Sequence, residues 1–206
     1  MKHYHQLLSY GDLIELETRC NTDKLLKEIK DFEWTQYNPR KEINRYGLSV
    51  TSSDGTRNGI DLDSLYETNR ENGTSYDEDS FKTFTDVYYK SEETQKLVEP
   101  FKPWLWRTHF LNFRKGGYFP PHRDMRTSNE QKSMRLLVPI SLCNPADMYF
   151  MYEDKPLYFK YGSVYFLNKN KKHSIFSYSD KAIMLVMNIE CNEDSVEQVT
   201  KLFRWK

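Results

Sequence analysis

RTHFLNFRKGGYFPPHRD, residues 107–124, changes character twice along its length. Its first part is rich in aromatic and β-branched side chains and reads as a strand. Gly116 and Gly117 then mark a turn, and Pro120 and Pro121 stiffen the backbone just before His122 and Asp124. Prolines donate nothing to a β-ladder, so the pair suits an edge or the start of a strand. If the segment is extended, His122 and Asp124 project from one face, because side chains alternate along a strand.

The period of two continues downstream. SMRLLVPISL (133–142), DMYFMYED (147–154), KPLYFKYGSVYFLN (155–168), HSIFSYS (173–179) and KAIMLVMNIE (181–190) read as further strands, as does WLWRTHFLNF (104–113). Short turns such as Asp154-Lys155 and Tyr161-Gly162 separate several of them, which argues an antiparallel sandwich or barrel. Upstream, TDKLLKEIKDFEW (22–34) carries apolar residues at helical spacing, and a second short helix is expected over 91–98, closed by Pro100 and Pro103. The stretch 37–81 offers one strand at 46–51 and a tight turn at Asp54-Gly55, and SVEQVTKLF closes the chain with a helix. The expected fold class is mainly β with flanking helices.

At 206 residues the chain is long enough for one large domain with a proper core. Thirty basic residues balance thirty acidic ones, so no overall field draws it to nucleic acid or anionic lipid, and neither is an expected partner. Cys20, Cys143 and Cys191 are far apart and lack CxxC spacing, so they read as reduced thiols. No signal sequence or membrane-length apolar run is visible, and the expected location is cytoplasmic.

His122 and Asp124 on one strand face can grip one metal ion, and His173, which opens a later strand, offers a third ligand from across a barrel. Two imidazoles and one carboxylate on one side of a metal leave three positions open, as in non-haem iron(II) oxygenases. Zinc is the competing reading, although the helix-borne HExxH pattern is absent.

From about Trp106 to Glu190 the chain resembles the Fe(II)/2-oxoglutarate-dependent oxygenases of the double-stranded β-helix (jelly-roll, cupin-like) fold, in particular the aspartyl/asparaginyl β-hydroxylase and proline cis-hydroxylase branch. RTHFLNFRKGGYFPPHRD resembles that family's strand, glycine turn and HxD. MRLLVPISLCNP is similar to its next core strand, YGSVYFLNKNKKHSIFSYSD to the strand and turn bringing in the distal histidine, and KAIMLVMNIE to its final barrel strand. The segment containing RYGLSVTSSDG resembles the substrate side of such hydroxylases. The implied organisation is a single domain: an N-terminal helical and irregular cover (1–103), a double-stranded β-helix core (104–190) and a C-terminal helix (191–206).

The resemblance implies that His122, Asp124 and His173 ligate Fe(II), with 2-oxoglutarate and O2 as co-substrates and an amino acid or an amino-acid residue of a peptide or protein as the molecule hydroxylated. Succinate and CO2 would be released. The far carboxylate of 2-oxoglutarate needs a buried cation. Where relatives of this branch carry an arginine after the distal histidine, this chain has Lys181-Ala182-Ile183. Lys181 is therefore one candidate anchor, unless it is an exposed turn residue. Arg135, set among apolar neighbours, is the other, unless it forms a salt bridge at the barrel rim. Arg45, Arg107, His109, Arg123 and Arg126 are candidate substrate contacts, while Trp104 and Trp106 read as packing residues. Two alternatives stay open: a cupin-type metalloenzyme that does not use 2-oxoglutarate, and a non-catalytic jelly-roll binding module.

Overall fold

A computed structural model describes residues 2–124 and 132–204. In chain order the strands are β1 (Leu13–Arg19), β2 (Thr35–Gln36), β3 (Arg45–Ser49), β4 (Thr51–Ser52), β5 (Thr83–Phe84), β6 (Leu105–Phe113), β7 (Tyr118–His122), β8 (Ser133–Ser141), β9 (Met148–Tyr152), β10 (Lys155–Pro156), β11 (Ser163–Leu167), β12 (His173–Ser177) and β13 (Ala182–Glu190). The helices are α1 (Lys2–Leu8), α2 (Thr22–Ile29), α3 (Leu65–Asn72), α4 (Asp86–Lys90), α5 (Glu92–Val98) and α6 (Glu193–Lys201).

Two antiparallel sheets face one another, a seven-stranded sheet in the order β1-β11-β8-β13-β6-β3-β2 and a four-stranded sheet in the order β10-β9-β12-β7. Strand alternation divides the core in two. From β13, Ala182, Met184 and Val186 point between the sheets, where they meet Leu111, Phe113, Leu137, Phe150 and Ile175. The other parity, Ile183, Leu185, Met187 and Ile189, packs outward against Leu25 and Ile29 of α2, Leu97 and Val98 of α5, and Val196 and Val199 of α6. One face of the large sheet thus lies under helices and the other meets the small sheet, which is the jelly-roll arrangement.

Several elements differ from the sequence expectation. The helix expected over 22–34 ends at Ile29, and its cap is Asn21, whose side chain accepts from the Lys24 amide. Phe32 and Trp34 pack against the outer core from beyond its end. The segment 155–168 is two short strands, β10 and β11, and the expected strand at 46–51 is β3 plus β4. The N-terminal part is more than a cover, because β1, β2 and β3 extend both edges of the large sheet. Trp104 packs against the outer core, and Trp106 is buried.

Gly117 shows why the turn before β7 needs glycine. A Cβ there would run into the Asn44 carbonyl oxygen and come within 2.8 Å of the Arg114 carbonyl oxygen, both backbone atoms. The neighbouring Gly116 has φ +81°, a conformation that L side chains rarely adopt. Together they turn β6 into the small sheet and aim β7 at the site.

Candidate metal centre

β7 and β12 are antiparallel neighbours, and their register sets His173 directly opposite His122. β7 ends at His122, so Asp124 is not simply the next residue on the same strand face. Its position is fixed instead by its amide, which donates to the Lys169 carbonyl at 3.0 Å. One donor atom from each of His122, Asp124 and His173 lies within 4.8 Å of the others. The two imidazole rings are 4.3 Å apart between centroids, and His122 Nε2 is 3.3 Å from Asp124 Oδ1.

Both rings are oriented by the backbone two residues earlier. His122 Nδ1 bonds the Pro120 carbonyl at 2.7 Å, and His173 Nδ1 bonds the Lys171 carbonyl at 2.9 Å. With the proton assigned to Nδ1 by those contacts, each Nε2 keeps its lone pair for a metal, the usual arrangement for a ligating histidine. The Phe150 ring, nearly parallel to His173 at 6.0 Å, fixes that ring further.

Burial disfavours ionised Asp124, but Arg135, His122 and His173 outweigh it and hold the carboxyl well below the usual carboxylate range. Donation from the protonated ring to the Asp124 carboxylate raises the His122 pKa, whereas burial lowers that of His173. An ionised carboxylate and imidazoles with free Nε2 atoms are the forms a divalent cation requires. The donor set therefore fits a metal with three protein ligands and open positions.

Arg135, inward on β8, forms an ion pair with Asp124. Its Nε and Nη2 each lie 3.3 Å from Asn188 Oδ1, and Asn188 Nδ2 donates to Glu78 Oε2 at 3.0 Å and to the Arg107 carbonyl at 2.9 Å. The Arg107 side chain binds Glu78 Oε1 at 3.2 Å, the Asp63 carbonyl at 3.2 Å and the Asp61 carbonyl. A continuous polar chain thus runs from the metal ligands to the loop bearing Glu78.

The ligands open onto a cavity of about 260 Å³ between the sheets. Register arranges its large-sheet wall in tiers. Asn188 lies beside Arg135 and bonds the Arg107 carbonyl; next come His109, Val186 and Leu137, and below them Leu111 and Met184. Phe119, Ile175 and Phe150 line the cavity from the small sheet. An outer cleft of about 690 Å³ shares His122, Asp124 and Arg107 with this cavity and adds Lys41, Arg45, Asp63 and Asp77.

Of the residues singled out from sequence, His122, Asp124, His173, Arg135, Arg107 and His109 all line the inner cavity. Arg45 is buried in the wall of the outer cleft, with its guanidinium 4.1 Å over Phe119 and Nη1 donating to the Tyr118 carbonyl at 2.9 Å. Lys181 does not reach the site. It is exposed, precedes β13 and falls on the parity of Ile183 and Leu185, which point away from the small sheet. Of the two candidate anchors, only Arg135 faces the cavity, and it does so beside the metal ligands. Arg123 is exposed and lines neither space, and Arg126 lies outside the described residues. Asn188 and Glu78 were not singled out. A lone amide inside the apolar run KAIMLVMNIE was a usable signal for Asn188, whereas Glu78 sits in an acidic loop that offers none.

No protein-family profile and no curated protein matches the sequence. Among solved structures, the chain is similar to HygX from Streptomyces hygroscopicus, crystallised with nickel, 2-oxoglutarate and hygromycin B bound, at 9% identity and TM-score 0.54, covering 92% of this chain and 87% of that one. Weaker similarities are to an oxidoreductase of the 2OG-Fe(II) oxygenase family from Burkholderia pseudomallei (10% identity, TM-score 0.49, 93% and 90% covered) and to a Pseudomonas putida prolyl-4-hydroxylase (12%, 0.48, 94% and 100%). The likeness to HygX spans almost the whole chain and concerns the fold. Fold and site together define a jelly-roll protein with a His-Asp-His candidate metal centre. Among the described residues no helix is long and apolar enough to cross a membrane.

Proposed function

We propose that the protein is an iron(II)- and 2-oxoglutarate-dependent oxygenase that hydroxylates an amino acid or an amino-acid residue of a peptide or protein, in the manner of the aspartyl/asparaginyl β-hydroxylase and proline cis-hydroxylase branch. The convergence of His122, Asp124 and His173 at a cavity between two sheets carries the reading. When bound, iron(II) and 2-oxoglutarate supply with O2 the oxidising power for hydroxylation, and succinate and CO2 are released.

The chain's own part is to bind, orient and exclude water. His122 and His173 present Nε2, and Asp124 contributes the negative charge that makes the site select a cation. Arg135 uses its Nε, one Nη1 and one Nη2 hydrogen on Asn188 and Asp124, which leaves N–H groups for an anion beside the metal. Leu111, Leu137, Phe150 and Ile175 keep the inner cavity dry. The outer cleft sets Lys41 and Arg45 near Asp63 and Asp77, a mixed charge pattern suited to a zwitterionic amino acid or a peptide.

One observation favours a metalloenzyme that does not use 2-oxoglutarate: among the described residues the cavity floor carries no lysine or arginine. Anaerobic reconstitution with Fe(II) and 2-oxoglutarate, exposure to O2 and quantification of succinate across a panel of amino acids and peptides tests the choice. Succinate release that is lost in His173→Ala is the expected result. Fe(II) binding without 2-oxoglutarate binding or turnover would support the second reading, and failure to bind Fe(II) would leave a jelly-roll binding module.

A further inference from the structure

The tiers of the cavity pose a question about the far end of the co-substrate. Residues two apart on a strand are separated by about 6.6 Å, so an extended five-carbon diacid held at the metal by its keto-acid end sets its other carboxylate roughly one tier down. Arg135 cannot serve that carboxylate, because it lies beside Asp124, at the metal end. Lys181 lies outside the cavity, and the lowest tier is Leu111 and Met184.

The middle tier contains one ionisable group, His109, between Val186 on β13 and Ser49 on β3. The residue is 3% exposed, lines the cavity, and its Nδ1 has no hydrogen-bond partner. Buried polar atoms are rarely left so, and an exception asks for an explanation. The groups around it are spoken for. Arg107, two residues earlier on β6, pairs with Glu78, and Arg135 on β8 pairs with Asp124. His122 and His173 line the same cavity from the small sheet, and the Tyr37 ring lies 5.6 Å from His109. Burial, then the positive charges of Arg107 and Arg135, keep the imidazole neutral. Among the described residues, the two carboxylates that line the cavity, Glu78 and Asp124, already have arginine partners.

We propose that His109 receives the far carboxylate of the co-substrate, in the place where an arginine would otherwise be needed, and takes up one proton from solvent as that anion enters. The proposal rests on the 2-oxoglutarate reading above. The proton goes to the imidazole, no covalent bond forms or breaks, and the buried carboxylate is met by an imidazolium. The arriving negative charge favours the protonated ring, so affinity is greatest at low pH. It falls by up to tenfold per pH unit between the pKa of the ring in the free protein and its higher pKa in the complex, and levels off above the latter.

Calorimetry under anaerobic conditions on the Fe(II)-loaded protein tests this without turnover. 2-Oxoglutarate is titrated in two buffers of different ionisation enthalpy, and 2-oxopentanoate, which lacks the far carboxylate, is the comparison. We expect uptake of about one proton with 2-oxoglutarate and none with 2-oxopentanoate. His109→Gln should weaken 2-oxoglutarate at least tenfold and abolish the uptake. His109→Arg should restore affinity while making it independent of pH. Tight 2-oxoglutarate binding to the wild-type protein without proton uptake would overturn the role of His109 and leave the oxygenase reading intact; so would unchanged affinity in a folded His109→Gln protein. Fe(II) binding with no affinity for 2-oxoglutarate would overturn both. The wild-type titration decides the matter even if the variants fail to fold.

Discussion

Replacing Asn188 by leucine tests how the polar chain beneath the metal ligands holds the site. Asn188 is 2% exposed, and its amide accepts from Arg135 Nε and Nη2 and donates to Glu78 and to the Arg107 carbonyl. Leucine has similar volume, so little cavity or overpacking cost is added and the change is mainly the loss of those bonds. The Arg107 carbonyl loses this donor, at a cost of about 1–3 kcal/mol. Arg135 and Glu78 keep some exposure, at 22% and 17% of their side chains, so water offsets part of their loss. The expected destabilisation of the metal-free protein is about 2–4 kcal/mol.

The same change frees Arg135 from the contact that aims it at Asp124. Loss of a partner that orients a metal ligand typically weakens metal binding about 10–100-fold. Urea denaturation of the metal-free protein gives the first quantity, and anaerobic titration with Fe(II) gives the second. A destabilisation below about 1 kcal/mol together with unchanged Fe(II) affinity would refute the argument, because the amide would then be neither structural nor coupled to the ligands.

Other consequences are independent of that network. Gly117→Ala should cost at the upper end of the roughly 1–3 kcal/mol seen for overpacking, and should weaken metal binding by shifting β7; Gly116→Ala, with open space around it, should cost about 1 kcal/mol, readable by the same denaturation. Asp61 is fully buried, and burial pushes its pKa up to about 6 against the opposing Ser49 hydrogen bond and Arg107 charge. The folded state thus holds the Asp61 proton more tightly than the unfolded chain, giving stability that is complete below about pH 4 and lost as pH rises through about 6. Asp61→Asn should remove on the order of 2 kcal/mol of that decline, measured by denaturation between pH 4 and 8. Lys181→Ala should leave 2-oxoglutarate affinity within twofold of wild type, whereas Arg135→Ala, which removes the partner of Asp124 at the metal end, should reduce it more than tenfold; a large loss in Lys181→Ala with none in Arg135→Ala would make Lys181 the anchor instead of His109.

Most strands of the two sheets were legible because their aromatic and β-branched residues run in short segments between turn signals. β1 was not, since LIELETR carries as much charge as apolar surface. It is tolerated at the edge of the large sheet, where β11 pairs with one side and only a single bridge from Leu16 to Phe203 covers the other. Helix α2 looked longer than it is because Phe32 and Trp34 keep a helical spacing but reach the core from irregular backbone.

At the site, the short separation of His122 and Asp124 was visible, and His173 followed from the order of the blocks. Lys181 was misplaced by reasoning from distance along the chain. Parity decides instead: Ala182, Met184, Val186 and Asn188 face inward on β13, and an odd-numbered neighbour before the strand cannot join them. Glu78 reaches Arg107 and Asn188 only through a contact of long sequence separation, which a local pattern does not encode.

The most direct measurement is a crystal structure of the protein grown anaerobically with Fe(II) and 2-oxoglutarate, with anomalous diffraction recorded at the iron edge. One peak bonded to His122 Nε2, Asp124 and His173 Nε2 at about 2.0–2.2 Å, with the keto acid on the open positions, is the predicted result. No iron at these three residues, with Asp124 still paired to Arg135, would contradict the account.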